Sequence, residues 1–189
     1  MTPRLESFRT VVTAMCVNPE HLGIREVVTS RAVTLTIEPR PQDFGCILGK
    51  RGVNLRSLRV LFAIAVAREH GIKGDILLVT PDARTSSVKP FVPDRTFNGE
   101  RLRQIVEPMC AIVFKEPVVS ITDIAATASR VTVSVPSDEP LGYDDADVAD
   151  ALLAVVNTIG KANGRNIIFE FVRRPSQATA AARSRWQGK

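Results

Sequence analysis

Hydrophobic residues in the first 40 positions follow a helical spacing and then a strand spacing. Over residues 5–17, apolar side chains recur every three or four positions, which predicts an amphipathic helix; they are Leu5, Phe8, Val12 and Met15. A β-rich run covers residues 24–29. Over residues 32–38, apolar and polar residues alternate, which is typical of a strand with one buried face.

Residues 39–80 predict two further helices and a strand. Pro39 and Pro41 end the preceding strand, and we expect Asp43 to cap a short helix that runs to Leu48. A loop of residues 49–52 follows. A longer helix is predicted from about residue 53 to residue 70, because apolar side chains share one helical face: Leu55, Leu58, Phe62, Ala65 and Val66. A short buried strand over residues 75–80 completes the segment.

The same pattern begins again in the second half of the chain. Leu102, Val106 and Met109 stand 94 positions after Phe8, Val12 and Met15. Alternation returns over residues 131–135, an apolar helix over 148–159 and a closing strand over 167–172. Such self-similarity predicts an internal duplication. We expect one module over residues 1–80, a linker over 81–99, a degenerate module over 100–173 and a disordered basic tail over 174–189.

The second module departs from the first where the first has its loop. The stretch from Pro136 to Gly164 is 29 residues long, whereas that from Glu38 to Gly71 is 34, and no Gly-x-x-Gly sequence occurs in it. Acidic residues over 138–150 stand in that place. They are typical of a solvated helix start; a divalent cation is the alternative, although the spacing is not that of an EF-hand.

The positive charge is segregated along the chain. Residues 1–95 carry 14 Lys and Arg against 9 Asp and Glu, and residues 173–189 carry 5 against none. Residues 96–172 carry 6 against 11, a balance of −5. This distribution indicates that the first module and the tail meet a polyanion and that the second module does not.

Composition excludes several classes of protein. No apolar run approaches the roughly 20 residues that span a bilayer, and the N-terminus lacks a secretory signal, so we expect no membrane partner. Three cysteines at distant positions, Cys16, Cys46 and Cys110, indicate buried thiols in a reducing compartment. We therefore expect a cytoplasmic protein. No constellation of residues predicts a catalytic site, a metal site or a cofactor.

The loop Gly49-Lys50-Arg51-Gly52 is the strongest candidate for binding chemistry. Glycines permit a tight turn, and the helix that follows offers unpaired N–H groups and a partial positive charge to a phosphate. Lys50 and Arg51 add charge to it, and Arg56 and Arg59 extend the positive surface by a turn. We expect an apolar wall for unstacked bases from Ile47, Leu48 and Val53. A plain helix–helix turn with solvated cations is the alternative interpretation.

The segment Asp-Phe-Gly-x-Ile-Leu-Gly-Lys-x-Gly, at residues 43–52, resembles the motif of type II KH domains. The resemblance covers about residues 5–80 and is nearest to the small single-KH RNA-binding proteins of bacteria. It implies an α+β fold of two tandem KH-like modules, helix-strand-strand-helix-helix-strand, each a three-stranded sheet with helices packed on one face. It also implies that residues 49–52 clamp about four nucleotides of single-stranded nucleic acid. Because the second module lacks the motif, no binding residues carry over to it.

These observations predict a non-enzymatic, single-stranded RNA-binding protein of bacterial or phage origin. It would act on mRNA or small RNA as an RNA chaperone or translation regulator, in the host cytoplasm if encoded by a phage; DNA is not distinguished from RNA. An alternative is an assembly module that binds a protein partner, or itself, through the second module. A third is a tandem-KH factor of transcription elongation or antitermination. Trp186 in the tail has no assigned role.

Overall fold

Two three-stranded sheets and five α-helices make up the part of the chain that the computed structural model describes, residues 2–81 and 96–175. The first module contains α1 (Pro3–Met15), β1 (Gly23–Val28), β2 (Ala32–Glu38), α2 (Pro41–Leu48), α3 (Val53–His70) and β3 (Lys73–Leu78). Central strand β2 pairs antiparallel with β1, placing Ile24 opposite Ile37, and parallel with β3, placing Leu35 opposite Ile76.

The second module repeats this topology with one helix fewer. It contains α4 (Gly99–Val113), β4 (Val118–Ala125), β5 (Ala128–Pro136), α5 (Asp145–Ala162) and β6 (Asn166–Arg174). Strand β5 is antiparallel to β4 and parallel to β6. The α+β architecture of two tandem modules is confirmed. Between β5 and β6 the described chain forms a single α-helix, so the six-element order applies to the first module alone.

Two local expectations are corrected by the structure. Helix α2 begins at Pro41, and the buried Asp43 does not cap it. Its carboxylate instead accepts hydrogen bonds from the backbone N–H groups of Val17 (2.7 Å) and Asn18 (3.2 Å). Asp43 therefore supplies a partner to two backbone donors in the segment that follows α1. Helix α1 ends at Met15, two residues earlier than expected.

The end of the predicted linker belongs to the second module. Phe97 is 8% exposed and lies in the core, and Asn98 caps α4 by accepting the N–H of Arg101 at 3.0 Å. Residues 82–95 of the linker, and residues 176–189 of the tail with Trp186, lie outside the described residues. The predicted domain boundaries otherwise stay predictions.

One hydrophobic core runs through both modules. Helix α1 packs on α4 and α3 packs on α5, so each module covers the helical face of the other and the sheets lie on the outside. Polar contacts cross the same boundary. The guanidinium of Arg68 donates to the carbonyls of Ala111 (3.0 Å) and Phe114, and the Asn163 amide donates to the carbonyl of Ala14 (3.1 Å). This packing fixes α5 beside α3.

Equivalent arginines tie the first helix of each module to its first strand. Arg9 donates to the carbonyl of Ile24 at 2.9 Å, and Arg103, 94 positions later, donates to that of Ile121 at 3.2 Å. The two modules thus share this contact as well as their strand order. The internal duplication remains the prediction that accounts for both.

A buried arginine holds the start of the second module against its sheet. The Arg165 guanidinium donates to the hydroxyl of Ser129 (2.6 Å) and the carbonyl of Phe97 (3.0 Å), and it forms an ion pair with Asp123. Hydrogen bonds from Ser129 and from the backbone of Gly99, together with Arg165, lower the pKa of the Asp123 carboxyl. The network connects the chain before α4 with β4 and β5.

Candidate nucleic-acid interface

The glycine loop, residues 49–52, joins α2 to α3 through an unusual backbone. Gly49 (φ 74°, ψ 169°) ends α2, and a single 3₁₀ turn over Lys50–Gly52 follows. Gly52 (φ 76°, ψ 16°) and Arg51 (φ 55°, ψ 26°) are left-handed, and Arg51 is the one non-glycine residue with positive φ in the described chain. Such a conformation costs an L-residue about 1–2 kcal/mol. The fold therefore holds Arg51 in a strained position.

Asn54 explains why position 49 must be glycine. A Cβ at Gly49 would lie 2.6 Å from Cγ of Asn54 and 2.8 Å from its backbone nitrogen, whereas a Cβ at Gly52 would meet nothing within 4 Å. The Asn54 amide donates to the carbonyl of Cys46 at 2.7 Å, which satisfies the last turn of α2. Sequence reasoning missed this residue. The available signal was an Asn just after a glycine turn, a residue type that bonds nearby backbone.

The cations of the glycine loop are available to a ligand. Lys50, Arg51 and Arg56 are exposed, and none of their side chains forms a hydrogen bond or ion pair with another described residue. Helix α3 begins without a side-chain cap. Its first N–H groups and the positive end of its dipole therefore act on the same region as Lys50 and Arg51.

Two other arginines of the first module, Arg4 and Arg59, are engaged within the fold. Arg4 is buried and paired with Glu26 and Glu69. Arg59, a predicted contact residue, donates to the carbonyl of Ile76 (3.0 Å) and lies 3.1 Å from the Asp75 carboxylate. Its guanidinium therefore holds β3 against α3, unlike the unpartnered side chains of Lys50, Arg51 and Arg56.

The predicted apolar wall is only partly at the surface. Ile47 is 0% exposed and packs in the core, so its side chain does not reach a base; this part of the prediction is corrected. Leu48 is half-buried, and Val53 is 46% exposed at the start of α3. Burial of Ile47 follows from the helical spacing of α2, which turns this residue toward the core.

A cleft of about 950 Å³ opens beside the glycine loop. One wall comes from the first module, with Gly49, Lys50, Arg51 and Asn54. The opposite wall is α5 of the second module, from Asp150 to Ala162. The sequence did not predict this wall, because it arises from packing between residues about 100 positions apart.

The corresponding region of the second module is closed and acidic. Leu141 is 7% exposed, and the Glu139 carboxylate accepts the backbone N–H of Lys115 at 2.6 Å. Asp144 caps α5 by accepting the N–H of Ala146 at 2.8 Å. The hydrogen bond from Arg173 lowers the pKa of the neighbouring Asp145 carboxyl. These acids stabilise the start of α5, and no cluster of potential metal ligands is found within residues 2–81 and 96–175.

The pKa values of the three thiols are raised, which disfavours the nucleophilic thiolate form. Burial raises the pKa of Cys110 to about 12, with a smaller contribution from Glu107, and burial raises that of Cys16 still further. Cys46, which lines the cleft, also has a raised pKa because of burial and the nearby Asp43. All three are free cysteines. None of the helices in the described ranges is long and apolar enough to cross a membrane.

The topology of the first module and its glycine loop define the class of the domain. A helix-strand-strand-helix-helix-strand order, a central strand parallel to the last one and a Gly-x-x-Gly turn between two helices are the features of a type II KH domain. The family model described as "KhpA/KhpB, KH domain" matches residues 6–75. This part of the chain is therefore a type II KH domain, a class that binds RNA and is not enzymatic. A search of curated proteins found no match to the chain.

Proposed function

We propose that the protein binds single-stranded RNA at the glycine loop and acts on mRNA or small RNA as a chaperone or translation regulator. The observation that carries the proposal is the pair of unpartnered cations, Lys50 and Arg51, on a strained turn at the uncapped start of α3. The KH match supports RNA as the ligand. The three free cysteines support a cytoplasmic location, where thiols stay reduced.

The proposed contacts follow from the positions of the side chains. Backbone N–H groups at the start of α3 and the cations Lys50 and Arg51 hold the phosphodiester backbone. Arg56 holds a phosphate about one turn further along α3. Leu48 and Val53 offer apolar surface to an unstacked base. The three phosphate contacts of the first module contribute about −2 to the slope of log K against log salt concentration.

The proposed role of the second module is chiefly to support the first. Its helices α4 and α5 cover the helical face of the KH domain. Docking of a protein partner on that same helical face would require the two modules to separate. Within the described chain, the exposed large apolar side chains of the second module are Val118, Ile124, Ile168 and Val172 on its sheet and Tyr143 just before α5.

The experiment reverses the charge of the loop in the variant Lys50→Asp/Arg51→Asp. Affinity is measured by filter binding with a 20-nucleotide single-stranded RNA of mixed sequence at several salt concentrations. We expect binding about 10- to 100-fold weaker, and a slope shallower by about 1.4 because two phosphate contacts are lost. Competition by DNA of the same sequence distinguishes the two nucleic acids.

A matched control lies at the other end of α3. The side chains of Arg31 and Lys73 are exposed and have no partner among the described residues; Lys73 lies opposite Ala32, the residue after Arg31, where β2 and β3 begin. Helix α3 has 18 residues and is about 27 Å long, so this pair is far from the loop. Arg31→Asp/Lys73→Asp carries the same charge change and should bind normally. Equal loss in both variants, or unchanged affinity of a folded loop variant, would overturn the site.

A further inference from the structure

Helix α5 of the second module lies antiparallel to α3, with its C-terminal half facing the glycine loop. At one end of the pair, Val53 and Asn54 share a cleft with Thr158 and Lys161. At the other end, Arg68 of α3 lies beside Leu141, just before α5 begins. The C-terminal end of α5, which lies on the side of the glycine loop, is held in place because the Asn163 amide donates to the carbonyl of Ala14 in α1 at 3.1 Å.

The face that α5 turns to the cleft is suited to a nucleic acid. Asn157 is half-buried and its side chain makes no hydrogen bond to another described residue, so its amide can both donate and accept. Lys161 is exposed one turn later and is likewise unpaired within the described chain. Asp150 lines the far end of the cleft, eleven residues before Lys161 and about 16 Å away along the helix.

The position of Lys161 is notable because the second module is acidic. Most of its cations are engaged: Arg165 with Asp123, Arg173 with Asp145, Arg103 with the carbonyl of Ile121. Within the ranges that the structure describes, the unpartnered cations of this module are Lys115, Arg130 and Lys161. Of these, Lys161 is the one that lines the cleft of the glycine loop, where Lys50 and Arg51 stand opposite.

We infer that α5 is the second wall of the RNA site, with Lys161 contacting a phosphate and Asn157 a base edge of the strand held at the glycine loop. The inference rests on the proposed function. It changes the part assigned to the second module, because a single strand would be held between two modules and base preference would come partly from α5. The sequence-based expectation that this module contributes no binding residue would then be wrong.

The test compares Lys161→Glu with Lys115→Glu in the full chain. Both are exposed lysines of the second module, but Lys115 lines the opposite cavity, beside Glu139 and Leu141. Affinity for the 20-nucleotide RNA is measured by filter binding, and thermal melting verifies the fold. We expect Lys161→Glu to weaken binding about five- to tenfold and to make the salt slope shallower by about 0.7, and Lys115→Glu to leave both unchanged.

A second variant tests the base contact. Asn157→Ala should change the ratio of affinities for oligo(A), oligo(C) and oligo(U) and leave the salt slope unchanged, since an amide neutralises no phosphate. An unchanged ratio would remove Asn157 from the site.

The outcomes separate the inference from the proposed function. If Lys50→Asp/Arg51→Asp weakens binding and Lys161→Glu does not, the second wall is overturned and the glycine loop stands. If neither variant weakens binding, the proposed function fails. If Lys115→Glu weakens binding as much as Lys161→Glu, the effect is one of net charge and the inference is overturned. If Lys161→Glu weakens RNA binding and Lys115→Glu does not, the result supports the inference.

Discussion

Replacing Gly49 with alanine should destabilise the protein more than any other single alanine substitution in the glycine loop. The backbone at φ 74° and ψ 169° is essentially restricted to glycine, and an L-residue there costs about 1–3 kcal/mol. The new Cβ would also lie 2.6 Å from Asn54 Cγ and 2.8 Å from Asn54 N, and relieving such overpacking costs about 1–3 kcal/mol more. Moving Asn54 away would cost its hydrogen bond to the carbonyl of Cys46. The total is about 4 kcal/mol.

Thermal unfolding followed by circular dichroism measures the effect. For a chain of 189 residues, 1 kcal/mol corresponds to about 2–4 °C, so we expect Gly49→Ala to lower Tm by about 12 °C. A Cβ at Gly52 would clash with nothing, so the cost of Gly52→Ala is that of the left-handed backbone, about 1–2 kcal/mol, and we expect Tm to fall by about 5 °C. Gly45→Ala, inside α2 with open space around it, should raise Tm slightly. Equal Tm values for Gly49→Ala and Gly52→Ala would refute the loop geometry.

Two further predictions concern the framework around the site. Arg68→Ala removes the donor to carbonyls at the end of α4 and should lower the free energy of unfolding, measured with urea, by about 1–2 kcal/mol in one cooperative transition; a separate transition for each module would contradict the shared core. Because the pKa values of Asp123 and Asp145 are lowered in the folded state, their stabilisation is complete above the unfolded value near 4 and is lost as pH falls through the folded values. We therefore expect Asp123→Asn/Asp145→Asn to flatten the fall in Tm as the pH drops below about 4; an unchanged fall in Tm at acid pH would contradict the assigned partners.

The part of the fold that local patterns determine was predictable from the sequence. Apolar spacing located α1, α3 and β2, and the missing short helix of the second module followed from its shorter chain. The KH class was readable because the motif at residues 43–52 is continuous in sequence. Two of its glycines, Gly49 and Gly52, suit a backbone with positive φ, so the residue types at these positions carry the signal.

Features that depend on partners distant in sequence were not predictable in the same way. Asp43 has the residue type and position of a helix cap, yet it binds the N–H groups of Val17 and Asn18. Arg59 has the spacing of a phosphate ligand, yet β3 lies close enough to engage it. Composition cannot distinguish a free arginine side chain from one that is engaged by a carbonyl distant in sequence. This difference determines which arginines are available to contact RNA.

Helices α3 and α5 pack antiparallel, so the N-terminus of each helix lies at a different end of the pair. The two N-termini have different surroundings, although the modules share one topology. At the loop end, an uncapped α3 leaves N–H groups and two cations facing a cleft whose other wall is α5. At the opposite end, Asp144 caps α5, which satisfies an N–H group that a phosphate would otherwise bind, and Leu141 is buried against the helices. A second glycine loop before α5 would need the N–H groups at the start of that helix to be free. If RNA binds as proposed, the molecule offers it one cleft built from both modules, and loss of the second loop is compatible with retention of α5 as a wall.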